Sequence, residues 1–503
     1  MKLRLASNAV ANLLGALVPS LVALGTVPLV VRGLGDASYG VYSLVTAIVG
    51  YFAVIDINVT AGSVKFIAGF SARKEHARIG ETVFFGIIVY ALLGVVGALG
   101  LFGSAHFLVT GVFNVPAALA AEATATLQLA ALGFFLGQLQ NYLQSVPQAL
   151  MRYDVSSRLE MLFGVAVPLL TVLVLINGYG LFDVVLMRVA ASALHCLVLW
   201  RAIRRLLPDL ALRWPARATQ RGLLSFSAWS VLSRFASLSY AHADKLIIGA
   251  LAGVTALAYF TVAATLANRV LGLTYRLAGV LFPAASALAA NGELARLDRL
   301  YLKATRYVVF LNAAMLVLVA VFAHQILLYW MNAQFARQGA LVLAVMAAAQ
   351  FVDSLTSLPS LVNDGMGHPR VSGMFAVVRA CVGVLIVWVG VVRWGIDGAA
   401  WGHLAASLLF SIAFIGYVHG RTVPTALRRL LLRGYAPTLY GVLGVAVFAE
   451  IAERLFVRTA FDFVFMLAAT VALLFLVGML FVIDKDDRLV AWARVKACLG
   501  QLA

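Results

Sequence analysis

The chain has 503 residues, 63% of them hydrophobic and only 12% charged, with a mean hydropathy of +0.97. That balance excludes a water-soluble domain, and at about 20 residues per crossing it leaves no length for a separate soluble catalytic domain. The formal charge of +17 would suggest nucleic acid in a soluble protein, but the basic residues fall in alternate loops, so no nucleic-acid partner is expected.

Hydropathy predicts fourteen spans, near residues 5–31, 38–60, 81–103, 119–143, 157–177, 181–203, 225–249, 255–285, 304–327, 339–361, 371–392, 398–418, 436–456 and 462–483. The first has the charge of a signal peptide, but it continues as a full apolar span with no small-residue cleavage site before Arg32, so it reads as the first helix. Pro19 and Pro28 in that helix, and Pro168 in the fifth, are candidate bends. The fourth span carries Gln138, Asn141, Gln144 and Gln148; the tenth carries Gln350, Asp353, Ser354, Ser357 and Ser360. Such stripes either bond helices together or meet sugar hydroxyls. Gln350, Ser354 and Ser357, with Asn268, are the candidates for sugar contact. Asp56 and Asp353 are candidate coupling-ion carboxylates, or simply counter-charges for buried arginines. Residues 201–221 hold six arginines with Pro208 and Pro215, as a basic connection between two halves. Leu294, Leu297, Leu300 and Tyr301 share a face opposite Glu293, Arg296, Arg299 and Lys303, which predicts a short helix lying on the membrane surface. Gly365-Met366-Gly367 reads as a turn.

With a cytoplasmic N-terminus, nearly all loop lysines and arginines lie inside, leaving Arg32, Arg337, Arg393, Arg454 and Arg458 outside, which places both termini in the cytoplasm. Arg188, Arg234, Lys245, Arg269, Arg276 and Arg379 belong to no loop. Four of these fall on the two helices of 225–285, where Arg269 and Arg276, seven apart, share a face. A charge at the bilayer centre costs about 2.5–3.5 kcal/mol on insertion scales. A substrate group is one reason to bear that cost; snorkelling, or pairing with Asp244, is the structural alternative.

An internal repeat is also expected. Leu34 to Tyr42 echoes Leu251 to Tyr259, Val155-Ser156 echoes Val371-Ser372, and Gly180-Leu181 with Asp183 echoes Gly395-Ile396 with Asp397, all at an offset of about 216. The predicted fold class is therefore an all-α polytopic membrane protein of 14 transmembrane helices, in which two six-helix lobes related by parallel duplication surround a cavity. The expected domains are an N-lobe over 1–207, a cytoplasmic linker over 208–224, a C-lobe over 225–418, and two more helices with a cytoplasmic tail over 419–503.

The run Arg32-Gly-Leu-Gly35-Asp-Ala-Ser-Tyr39-Gly40-Val-Tyr42 resembles the pattern after the first helix of Wzx-like polysaccharide-transport flippases of the multidrug/oligosaccharidyl-lipid/polysaccharide exporter superfamily. Asp244-Lys245 with Ile248-Gly249, Leu281-Phe282-Pro283, and Gly395 to Ala400 extend the resemblance across the first twelve helices. It implies two lobes in a V and a flippase for an undecaprenyl-diphosphate-linked oligosaccharide in the bacterial inner membrane, serving O-antigen, capsule or exopolysaccharide assembly. Membrane lipid, a polymerase and a chain-length regulator are the implied partners. Arginine's planar fork suits a diphosphate. Arg234, Arg269 and Arg276 are the first candidates to bind it, with Arg188, Lys245, Arg379 and Arg32 second.

No HExxH, Walker loop or GxSxG occurs, so ATP hydrolysis and covalent catalysis are not expected. Cys196, Cys381 and Cys498, and histidines such as His106, His242, His324, His368 and His403, lack ligand spacing, so neither metal nor cofactor is expected. Two other readings compete. A cation-coupled multidrug exporter should carry acidic groups in its cavity, yet the first helix has none. A membrane glycosyltransferase or polymerase needs a large outside loop, and the predicted outside loops are short.

Overall fold

The computed structural model describes residues 2–56, 59–214, 220, 242–278, 288, 291–484 and 487–488 and, of residues 2–17, 61 and 270–278, the backbone alone. These residues are helical apart from short connections, with no strand among them. Among them, nine helical stretches are long and apolar enough to cross a membrane. The chain forms two compact units, one of residues 1–261 with 391–396, the other of 262–390 with 397–503.

In the first unit α1 (Lys2–Leu34) is followed at once by α2 (Asp36–Phe52), the turn being made by Gly35 at φ 77. Regular helix then ends in a 3-10 turn, Ala53–Ile55, and Asp56 is extended before α3 (Val59–Ala72). The span predicted to end near 60 is thus broken at Asp56, and Lys65, expected in a cytoplasmic loop, sits on α3. The run Ile55-Asp-Ile-Asn-Val-Thr60 explains the break: its β-branched residues and its Asp and Asn are all poor in a helix interior. Hydropathy is blind to that. Asp56 is buried and accepts from the Tyr90 hydroxyl (2.7 Å), which in turn accepts from the Thr60 amide (3.3 Å).

Tyr90 lies on α4 (His76–Phe107) and stacks at 5.2 Å on Tyr142 of α5 (Ala117–Ala149). A Cβ on Gly86 would come within 1.9 Å of the Tyr142 ring, so the glycine lets that ring lie on the α4 backbone, with its hydroxyl donating to the Thr82 carbonyl (3.0 Å). α6 (Tyr153–Ile176) and α7 (Leu181–Leu206) complete this core with Leu199 and Ile203. The first residues of the predicted linker pack on α4: Ala211 covers Gly80, and Trp214 meets Phe84 and Phe85 edge-on. Residues 242–251 form α8, followed by α9 (Gly253–Ala278), which runs into the second unit. Here the two echoing stretches of sequence meet: the Tyr259 hydroxyl donates to Asp36 (3.1 Å), and the Gly40 backbone touches that of Val254.

In the second unit α10 (Leu294–Val321) begins where a surface helix was expected. The expectation fails because Leu297 and Tyr301, read as a lipid-facing stripe, are 1% and 0% exposed and pack into the protein core with Leu358 and Val418. The Tyr301 hydroxyl bonds His419, whose other ring nitrogen bonds the Thr425 carbonyl. α11 (Ala323–Trp330) and α12 (Ala333–Ser354) follow, and a turn at Leu355–Thr356 separates α12 from α13 (Ser357–Gly365), dividing the predicted polar stripe. Gly367 at φ 94 makes the turn expected there. α14 (Pro369–Arg421) consists of two helices joined at Trp394 and Gly395 (φ 58), with Gly390 and Gly398 in backbone contact. Residues 427–435 lead into α15 (Ala436–Phe456), and α16 (Ala460–Val477) starts from a Thr459–Asp462 capping box.

Candidate functional site

Three helices of the first unit line one pocket, each with at least one polar side chain. α7 contributes Arg188, Ser192 and His195, spaced four and three residues apart and therefore on one face. α6 contributes Glu160, Phe163, Gly164 and Val167 by the same periodicity, and α5 contributes Gln140. The cavity measures about 290 Å³. His195 is some 14 residues from the start of α7 and 11 from its end, so the pocket lies about midway along a helix roughly 39 Å long.

The wall is held in place by packing. The His195 ring lies parallel to Phe163 at 4.0 Å, which fixes the imidazole plane. His195 is 5% exposed, and its Nε2 has no protein partner among the described residues. Gly164 has no room for a Cβ, which would sit 2.8 Å from Pro19, so α1 packs directly against α6 there. The Arg188 guanidinium lies 5.8 Å from the Tyr42 ring centroid, held by cation–π attraction to α2. Among the described residues, neither Arg188 nor Glu160 makes an ion pair.

None of the other sequence candidates among the described residues lines this pocket. Arg234 lies outside the described residues, and of Arg276 only the backbone is described, on α9. Arg269 and Asn268 are exposed on α9. Lys245, half-buried on α8, gives its backbone N–H to the Asp244 carboxylate (2.7 Å). Arg32 is exposed at the end of α1. Arg379 and Asp353 are found together: Arg379 Nη2 donates to Asp353 Oδ2 and to Ser407 Oγ (3.3 Å), so each is the other's counter-charge. Ser354 donates to the Phe351 carbonyl (2.6 Å). Gln350 and Ser357 are half-buried.

Sequence reasoning singled out Arg188 but not Gln140, Glu160, Ser192 or His195. A carboxylate and a guanidinium inside neighbouring apolar spans were a usable signal; which faces meet was not. Two other predicted polar groups have a local use. Gln144 and Gln148 both donate to Ser156 at the start of α6 (2.8 and 3.2 Å), and Ser360 and Asn363 donate to Ser372 at the start of the first half of α14 (3.3 and 3.1 Å). Ser156 and Ser372 are one of the echoing pairs in the sequence.

The sequence profile of the family described as polysaccharide biosynthesis protein matches residues 29–339. The chain belongs to this family. The resemblance carried by Arg32 to Tyr42 is thereby borne out, and the chain is a multi-pass member of the polysaccharide biosynthesis proteins. The uncharacterized membrane protein EpsK of Bacillus subtilis (strain 168) is 22% identical over 356 residues, 70% of each chain. A putative O-antigen transporter of Shigella flexneri is 38% identical over 61 residues, 12% of this chain and 15% of its own. Among solved structures, lipid II flippase MurJ in an inward closed conformation superposes with a TM-score of 0.74 at 10% identity, covering 92% of this chain and 98% of its own. An inward-facing multidrug resistance MATE family transporter of the MOP superfamily gives 0.68 at 16%, covering 83% and 100%. This chain and these two solved structures share one helical fold.

Proposed function

We propose that the protein is a flippase that moves an undecaprenyl-diphosphate-linked oligosaccharide from the cytoplasmic to the periplasmic leaflet of the bacterial inner membrane. Membership of the polysaccharide biosynthesis family supports this, as do the transporter and flippase named among its relatives and neighbours. The carrying observation in the geometry is the pocket lined by α5, α6 and α7, where Arg188 makes no ion pair among the described residues although Glu160 lines the same pocket. In this reading fourteen helices form two six-helix halves plus a C-terminal pair, both termini are cytoplasmic, and alternating access carries headgroup and sugar while the polyprenyl tail stays in lipid. No bond is made or broken.

A diphosphate in hydrocarbon needs charge-assisted donors, and Arg234, Arg269 and Arg276 are assigned to it, with Lys245 and Arg32 along its path. Asp56 remains the coupling-ion candidate; Asp353 is the weaker one because it already faces Arg379. A second reading, a multidrug exporter, gains from Glu160, which could hold an organic cation. Liposomes containing the full chain and a lipid-linked oligosaccharide test both. Arrival of the sugar at the far leaflet is expected and should fall at least tenfold in Arg269→Ala. Export of a cationic dye with no movement of the glycolipid would replace the first reading by the second.

A further inference from the structure

The pocket of α5, α6 and α7 carries both signs of charge without letting them cancel. Arg188 offers donors only, Glu160 accepts, Gln140 and Ser192 do both, and His195 Nε2 is buried without a protein partner among the described residues. Arg188 and Glu160, both exposed at the rim of the pocket, favour ligands of opposite charge, so a phosphate suits only the first and an ammonium only the second. An uncharged polyol satisfies all of them, because each hydroxyl accepts from a guanidinium or amide while donating to a carboxylate. The walls between the polar groups are Phe163, Gly164, Val167 and Ala191, which suit the C–H face of a ring. About 290 Å³ is near the small end of ligand pockets and equals the liquid volume of about ten waters, enough for one sugar ring rather than a chain.

We infer that this pocket is a saccharide subsite for one neutral pyranose residue. Arg188 and Gln140 donate to ring substituents, Glu160 accepts from a hydroxyl, and Ser192 and His195 close the polar ring. Arg188, placed by the sequence with the diphosphate ligands, thereby acts on the sugar. The inference rests on the transport reading for the origin of the sugar and adds to it a place where the saccharide is sampled.

The full-length protein in phosphatidylethanolamine/phosphatidylglycerol nanodiscs tests it by saturation-transfer NMR. The probes are methyl glucoside, methyl galactoside and methyl N-acetylglucosaminide, with methyl glucuronide, choline and inorganic phosphate as charged comparators. At least one neutral glycoside is expected to bind with a Kd of about 1 mM or a few-fold weaker. Ala191→Phe, which fills the pocket, and Gln140→Leu, which removes a donor, should each weaken that binding at least tenfold without lowering Tm. Three results overturn the inference: no neutral glycoside bound up to about 50 mM, binding of charged comparators alone, or neutral binding unchanged in both variants. Liposome transport separates the two ideas. Flux of lipid-linked oligosaccharide by the wild type with no glycoside effect sinks the subsite alone; pocket-dependent glycoside binding without flux sinks the transport reading alone.

Discussion

Asp353 and Arg379 make the most direct quantitative test of how this chain tolerates charge inside apolar helices. Both side chains are about one-fifth exposed, at 22% and 21%, and the guanidinium also reaches Ser407 on the second half of α14. Removing one member of a buried pair typically costs about 3–5 kcal/mol because the survivor is left unpaired. Residual exposure and the Ser407 contact reduce this to roughly 2–4 kcal/mol for Asp353→Leu or Arg379→Met. At roughly 2–4 °C per kcal/mol for a unit of this size, thermal unfolding should fall by about 5–15 °C in each single variant. The double variant replaces the pair by apolar side chains of similar length and should recover most of that loss, giving a coupling of about 2 kcal/mol or more. Thermal melts of the four proteins in one detergent complete the cycle. Additive losses in the double variant would show that the two charges do not stabilise each other.

Other perturbations have equally definite outcomes. Tyr90→Phe removes the donor to buried Asp56 and should cost about 1–3 kcal/mol, seen as a lower Tm with faster hydrogen exchange in α3. Gly40→Ala would set a Cβ 1.9 Å from the Val254 carbonyl oxygen and should abolish monodisperse protein on size exclusion, whereas Gly137→Ala, with nothing within 4 Å, should be neutral or slightly stabilising. Lys303 and Tyr307 donate to Asp487 and hold its carboxyl below the usual carboxylate range. A depressed folded pKa contributes stability above the unfolded value of about 4 that is lost only as pH falls through the folded one. The 487–488 segment should therefore stay protected from protease at pH 5 and be released only once the pH has fallen well below the ordinary carboxylate value of about 4, while Asp487→Asn releases it at neutral pH.

Hydropathy located most of the helices among the described residues because length and apolarity are what a bilayer selects, and Gly395 was legible as a boundary through its echo of Gly180. What escaped was local chemistry. The break at Asp56 involves no proline or glycine, only a run of weak helix formers and a tyrosine thirty-four residues away. The first turns of α10 have an amphipathic pattern that fits a lipid surface as well as a protein core, and periodicity cannot say which neighbour arrives. The same limit hid the pocket. Of the pocket's residues only Arg188 was singled out, as one of six basic residues outside the loops, while His195 gains meaning only once α6 and α7 face each other across Phe163.

The contact between Gly40 and Val254 changes how the Tyr39-Gly40-Val41-Tyr42 signature should be used. Its glycine is required because two backbones touch there, and Tyr39 is sealed inside the protein. Such a signature reports architecture and is silent about cargo. Sorting relatives by what they carry should therefore begin from the side chains at 140, 160, 188 and 192, where the fold imposes no comparable demand.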